Sequence, residues 1–168
     1  IEQPGVEIVD VVAEDGDLDG GVPRPRGLEI VGHLRGLREA RHPGRMERFL
    51  LKGVEVYLDG AHNPPAAEAL AREFSAYHLV FGAFPRKDVK GVLAHLLPKA
   101  RSVRYARAGE GALGGELGTP FFEDPWEALE DALAGAREDG LPVLATGSLY
   151  LVGRLRERLV AGLGEDLP

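Results

Sequence analysis

Short apolar runs alternate with stretches of helical period along most of this chain. "RFLLKG" (Arg48 to Gly53) and "VEVYLD" (Val54 to Asp59) read as strands, and "PPAAEALAREFSA" (Pro64 to Ala76) as a helix. The same alternation continues through "YHLVFGAF" as strand, "DVKGVLAHLLP" as helix, "SVRYARA" as strand and "PWEALEDALAGARED" as helix. It ends with "PVLATG" as strand and "SLYLVGRLRERLVAGL" as a closing helix. Apolar strands separated by helices predict βαβ units, hence an α/β domain with a mainly parallel sheet covered by helices on both faces. Upstream the pattern breaks down. Val6 to Val12 is one short β-like run, and the acidic, glycine- and proline-rich stretch after it has no period, so residues 1–27 read as a linker. A helical pattern from Leu28 to about Ala40 stops near His42 to Gly44, and residues 28–168 form the predicted domain.

Composition narrows the class. At 168 residues, 44% hydrophobic, the chain supports one domain with a sizeable core. A net charge of -7 argues against nucleic acid or an anionic membrane as the main partner. No apolar run is long enough to span a bilayer, and "IEQPGVEIVD" lacks the features of a signal peptide, so a cytoplasmic protein is expected, and a monomer. Without cysteine there are no disulfides and no thiolate metal ligands.

In parallel sheets ligands bind at the carboxyl ends of the strands, which directs attention to three strand-to-helix turns: "LDGAHNPP", "VFGAFPRKD" and "LATGSLYLVG". Asn63 before Pro64 is a helix N-cap by type, and Gly60 permits a turn, but neither accounts for Asp59 and His62. An aspartate at a strand's carboxyl edge suits sugar hydroxyls, and a histidine beside a helix N-terminus can donate or accept a hydrogen bond. Ser148 reads as the cap of the last helix, and a capped N-terminus is also a seat for a carboxylate or phosphate. A Ser-His-Asp triad is disfavoured because Thr146 and Tyr150 occupy the glycine places of a nucleophile elbow. His62 with Asp59 lacks further close ligands, so no metal site is expected. "GEGALG" (Gly109 to Gly114) matches a dinucleotide fingerprint, but "GELGTP" cannot open the required helix, so the stretch reads as a flexible loop. None of the lysines stands in a G-K-[ST] phosphate loop. Arg45, Arg86 and Lys87 have two readings each, surface cation or clamp on a bound anion. Asp88 in the same stretch reads as an ordinary N-cap.

Together "HPGRMERF", "VYLDGAHNPPAAEAL", "VFGAFPRKDVKGVLAHL" and "LATGSLYLVGRLRE" resemble, in order and spacing, the C-terminal domain of folylpolyglutamate synthase, the folate branch of the Mur ligase superfamily. The resemblance implies a Rossmann-like three-layer fold. It implies an ATP- and magnesium-dependent ligase that activates a carboxylate of a reduced folate as an acyl phosphate for attack by the amine of L-glutamate; some members are also dihydrofolate synthases. It further implies that Arg45 and Asp59 contact ATP, Asp59 through the ribose, and that His62 and Ser148 face the incoming glutamate. The family's phosphate loop belongs to a larger N-terminal domain absent from this sequence, so the chain by itself is expected to be inactive. The family usually carries an acidic residue where Arg86 stands, and residues 1–27 match nothing in it. The competing reading is a stand-alone nucleotide- or small-anion-binding module.

Overall fold

The computed structural model describes residues 46–85 and 88–166. Arg45, Arg86, Lys87 and the elements expected within residues 1–40 lie outside the described residues.

The strands are β1 (Glu47–Leu51), β2 (Val54–Asp59), β3 (Tyr77–Phe81), β4 (Ala100–Ala106), β5 (Phe121–Phe122) and β6 (Val143–Thr146). The helices are α1 (Pro64–Ala71), α2 (Val89–Leu96), α3 (Pro125–Asp139) and α4 (Leu149–Asp166). The sheet runs β1-β2-β6-β3-β4-β5. From β2 to β5 every pairing is parallel. The central strands β3 and β6 are buried at every position, which is why they read as unbroken apolar runs. One core lies on the face where Leu70 of α1 and Val92 and Leu96 of α2 meet Leu79, Phe81 and Leu144. The other lies where Trp126, Leu129 and Leu133 of α3 and Leu151 and Leu155 of α4 meet Val56, Leu58, Val80 and Val143. The result is the expected Rossmann-like three-layer α/β sandwich.

The chain returns through α3 to insert β6 between β2 and β3. Helices α1 and α2 therefore leave their strands toward one face while α4 leaves β6 toward the other. Adjacent strands whose helices diverge open a crevice at the carboxyl edge, the usual ligand site of such sheets. Asp59, Thr146 and Phe81 stand side by side in the last row of strand residues before it.

Two local features differ from expectation. Strand β1 is antiparallel to β2, because Lys52 (φ +54) and Gly53 (φ +82) form a two-residue turn with both residues left-handed, the geometry that folds a chain back as a hairpin. The stretch Gly109 to Gly114 is not free. The Leu113 N–H donates to the Ala83 carbonyl at 2.9 Å, the Arg107 guanidinium donates to the Ala112 carbonyl at 3.0 Å, and Ala112 is buried. Beyond it the chain adds the two-residue edge strand β5, too short to leave a period in sequence.

At the opposite end of the sheet, buried His78 ties α3 to β3 and β4. Its Nε2 lies 2.9 Å from Asp139 Oδ2 and its Nδ1 lies 2.6 Å from Ser102 Oγ. The Asp139 carboxylate only accepts, so the imidazole donates to it through Nε2, and Arg104 donates to the same serine oxygen at 2.9 Å. The Leu141 N–H, and after it His78, hold the Asp139 carboxyl below its ordinary range. A lowered folded-state value contributes stability above the unfolded carboxylate pKa, near ~4, and loses it as pH falls through the lowered value. Asp139→Asn is accordingly expected to lower the urea midpoint at pH 7 and to flatten its decline below about pH 4; an acid limb unchanged by the substitution would contradict this role.

Candidate functional site

Three turns meet at the carboxyl edge of β2, β6 and β3. The first runs from Asp59 to Asn63. Asp59 is only 8% exposed; its Oδ1 accepts the Ala61 N–H at 2.9 Å and its Oδ2 accepts the Met46 N–H at 3.1 Å. The carboxylate thus shapes its own turn and fixes the start of β1, where Met46 takes a left-handed φ of +49. The His62 Nδ1 lies 2.9 Å from the Gly60 carbonyl oxygen. A carbonyl only accepts, so Nδ1 carries the proton of this bond, and in the corresponding tautomer Nε2 is the acceptor. Asn63 does what its type predicted: Oδ1 accepts the Ala66 N–H at 2.9 Å, with Pro64 opening the helix. Asp88 likewise caps α2 through the Gly91 N–H at 2.9 Å.

The second turn, Gly147-Ser148, joins β6 to α4. Ser148 is buried and its Oγ accepts from the N–H groups of Tyr150 (2.9 Å) and Leu151 (3.4 Å), so it is the N-cap of α4. Accepting leaves the hydroxyl its own hydrogen to donate. Turn and turn are stitched together: the Gly147 N–H donates to the Ala61 carbonyl at 3.1 Å, and the Gly82 N–H to the Thr146 carbonyl at 3.4 Å. The approach is so close that a Cβ on Gly147 would stand 2.3 Å from the Gly82 carbonyl oxygen, and φ there is +113. The third turn, after β3, contributes Phe84.

Between the turns lies a cavity of about 270 Å³ lined by His62, Phe84, Gly147, Ser148, Leu149 and Tyr150. The structure thus brings His62 and Ser148 to one cavity. Asp59 stands at the same edge, in the row beside Thr146, without lining that cavity, and Arg45 is outside the described residues. Phe84, Leu149 and Tyr150 were not singled out in the sequence. In the structure Leu149 is 57% and Tyr150 68% exposed. Among the described residues no three His, Asp or Glu side chains cluster together. None of the helices, among the described residues, is long and apolar enough to cross a membrane.

A family model described as "Mur ligase, glutamate ligase domain" matches residues 44–149, which takes in all three turns. The chain belongs to that family. Among curated relatives of this Mur ligase domain, a probable bifunctional folylpolyglutamate synthase/dihydropteroate synthase of Haloferax volcanii is 38% identical over 143 residues, 73% of this chain and 16% of the relative. The dihydrofolate synthase/folylpolyglutamate synthase of Bacillus subtilis is 30% identical over 141 residues, 74% of this chain and 32% of the relative. The chain therefore spans about a sixth to a third of the length of these relatives. Among solved structures, Mycobacterium tuberculosis folylpolyglutamate synthase complexed with ADP and AMPPCP superimposes with a TM-score of 0.62 at 30% identity, over 76% of this chain and 33% of that one. The bifunctional folylpolyglutamate synthase/dihydrofolate synthase with Mn, AMPPNP and L-glutamate bound does so with a TM-score of 0.55 at 25% identity, over 71% and 32%. A stand-alone binding module finds no support among these likenesses, whose names are those of ligases.

The glycine contacts predict two unlike substitutions. Gly147→Ala forces a side chain into a left-handed φ and against backbone, and is expected to cost about 3 kcal/mol or more in urea unfolding. A Cβ on Gly60 would meet chiefly the Leu149 side chain, 2.2 Å from Cδ2 and 2.8 Å from Cγ, with the backbone no nearer than the Leu149 Cα at 3.5 Å, and that side chain is exposed. Gly60→Ala should therefore cost about 1 kcal/mol or less; equal costs for both would refute the backbone argument.

Proposed function

We propose that this chain is the glutamate-ligase domain of an ATP-dependent folylpolyglutamate synthase, with dihydrofolate synthase activity in the same enzyme, and that it contributes the contacts to L-glutamate and to the ribose of ATP. The observation that carries the proposal is the joint presence of the His62 imidazole and the Ser148-capped start of α4 on one cavity at the sheet's switch point.

The reaction divides into activation and attack. ATP, as substrate, supplies the phosphoryl group that turns a carboxylate of the reduced folate into an acyl phosphate, and the residues that grip the transferring phosphates belong to a phosphate-loop domain that this sequence does not contain. What the chain's own residues do is hold the second substrate. The positive end of the α4 dipole and the Ser148 hydroxyl, which still has its hydrogen to give, favour a carboxylate of glutamate. His62, locked by Gly60 in the tautomer that presents Nε2 as acceptor, takes a hydrogen bond from the glutamate amine and aims its lone pair. Asp59, an acceptor-only carboxylate set rigidly by two backbone N–H groups, can add ribose hydroxyls to its donors. Arg45, next to Met46 in sequence, is the proposed second contact to ATP. Reduced folate and magnesium complete the proposed set of ligands in the whole enzyme.

Kinetics separate these roles in the complete enzyme. His62→Ala and Ser148→Ala are each expected to cut kcat/KM for glutamate roughly 10- to 150-fold, the worth of one hydrogen bond to a charged group, with the ATP response nearly intact. Asp59→Ala should instead weaken ATP. Ser148→Ala should also lose about 1 kcal/mol of stability as a removed cap. Unchanged glutamate kinetics in both variants would take the second substrate away from this domain. The 168-residue chain alone should hydrolyse no ATP, having no G-K-[ST] loop; magnesium-dependent turnover by it would refute the domain reading.

A further inference from the structure

The cavity lining is of two kinds. His62, Gly147 and Ser148 offer polar groups, while Phe84, Leu149 and Tyr150 offer mainly apolar surface. The Phe84 and Tyr150 rings meet edge to face, with centroids 5.3 Å apart and planes at 62°. The chain after β4 closes against this pair at Gly109, where a Cβ would lie 3.6 Å from Phe84 Cζ and 4.0 Å from Tyr150 Cβ. Both are ordinary van der Waals distances, so the chain at Gly109 packs against the aromatic pair without crowding it. Tyr150, 68% exposed, holds its ring at the cavity rather than in either core.

Amide formation places strict demands on what lies beside the amine. The nitrogen lone pair forms the new N–C bond, the bond from the acyl carbon to the phosphate oxygen breaks, phosphate leaves with that electron pair, and the surplus amine proton passes to solvent. Whatever carries the acyl carbon therefore lies immediately beyond the amine, within reach of the aromatic residues that line the same cavity as His62. When glutamate is joined to a pteroate, the acyl carbon is bonded directly to a benzene ring. When a glutamyl tail is lengthened, it is bonded to a methylene.

We propose that Phe84 and Tyr150 receive the ring of an aryl carboxylate acceptor, and so favour the pteroate-type substrate over the glutamyl-tailed one. The proposal rests on the glutamate-ligase reading of the same cavity. An aromatic edge contact rewards a flat ring more than a flexible chain, because the ring brings matched quadrupole and area at little cost in conformational freedom.

The test uses the complete enzyme that carries this chain, with kcat/KM measured for dihydropteroate and for a monoglutamyl tetrahydrofolate at saturating ATP and glutamate. Phe84→Ala and Tyr150→Ala are each expected to lower the value for dihydropteroate roughly 3- to 10-fold and to change that for the glutamyl acceptor less than about 2-fold. Tyr150→Phe, which keeps the ring, should keep the parent ratio. The ratio of acceptors is internal to each preparation, so partial unfolding cannot imitate the effect. Equal losses on both acceptors would overturn the aryl wall while leaving the ligase reading intact. A parent enzyme that forms no ATP-dependent amide with either acceptor would overturn the ligase reading itself.

Discussion

Close backbone approach at the carboxyl edge is the constraint on which the site depends. The Gly147 N–H and the Thr146 hydroxyl both donate to the Ala61 carbonyl, at 3.1 and 3.4 Å, which locks the turn after β6 onto the turn after β2. Side chains would separate these turns. Gly82 repeats the pattern one strand over, with room for a Cβ only 2.5 Å from the Ala106 carbonyl oxygen. Because the three turns touch through backbone, a histidine from one, a helix start from the second and an aromatic ring from the third face a common space with no intervening layer.

Capping and binding are often set against each other as explanations of a polar residue at a helix start. Here the geometry separates two cases. Asn63 is exposed, and its side-chain oxygen serves the Ala66 N–H; it is a cap and is not among the residues lining the cavity at Ser148. Ser148 is a cap as well, yet it is buried at the edge of a cavity and has a hydrogen still to place. Asp59 belongs with Ser148: its carboxylate organises the backbone around it and in doing so is immobilised, as pre-organised recognition requires.

Much of this was legible beforehand. The alternation of apolar strands and amphipathic helices gave the layers, because β3 and β6 are buried on both sides and so could not alternate. The turns carrying Asp59, His62 and Ser148 were legible because parallel strands all end at one edge. Three things were not. Strand order depends on which strands pair across long sequence separations, and nothing local in "PVLATG" says that it inserts between β2 and β3. Leu149 and Tyr150 look like core by type, yet both are exposed at the start of α4, while Phe84 is partly buried against the core beneath α3 and α4. The glycine-rich run Gly109 to Gly114 reads as free chain, yet the hydrogen bond from Leu113 to Ala83 pins it, a contact between residues 30 apart in sequence.

Strand β1 is the one strand of the sheet that runs backwards, and its direction has a consequence of reach. Parallel strands all begin at the edge away from the crevice. Had β1 been parallel, Met46 would lie at that far edge, roughly 17 Å from Asp59 for a strand of this length, and a separate loop would be needed to bring it back. Turning at Lys52 and Gly53 makes β1 begin at the crevice instead, so Met46, the residue just before the strand, bonds Asp59 directly. A hairpin of two residues thus replaces a long return loop and its closure entropy, and the sheet itself carries Met46 to the ligand edge.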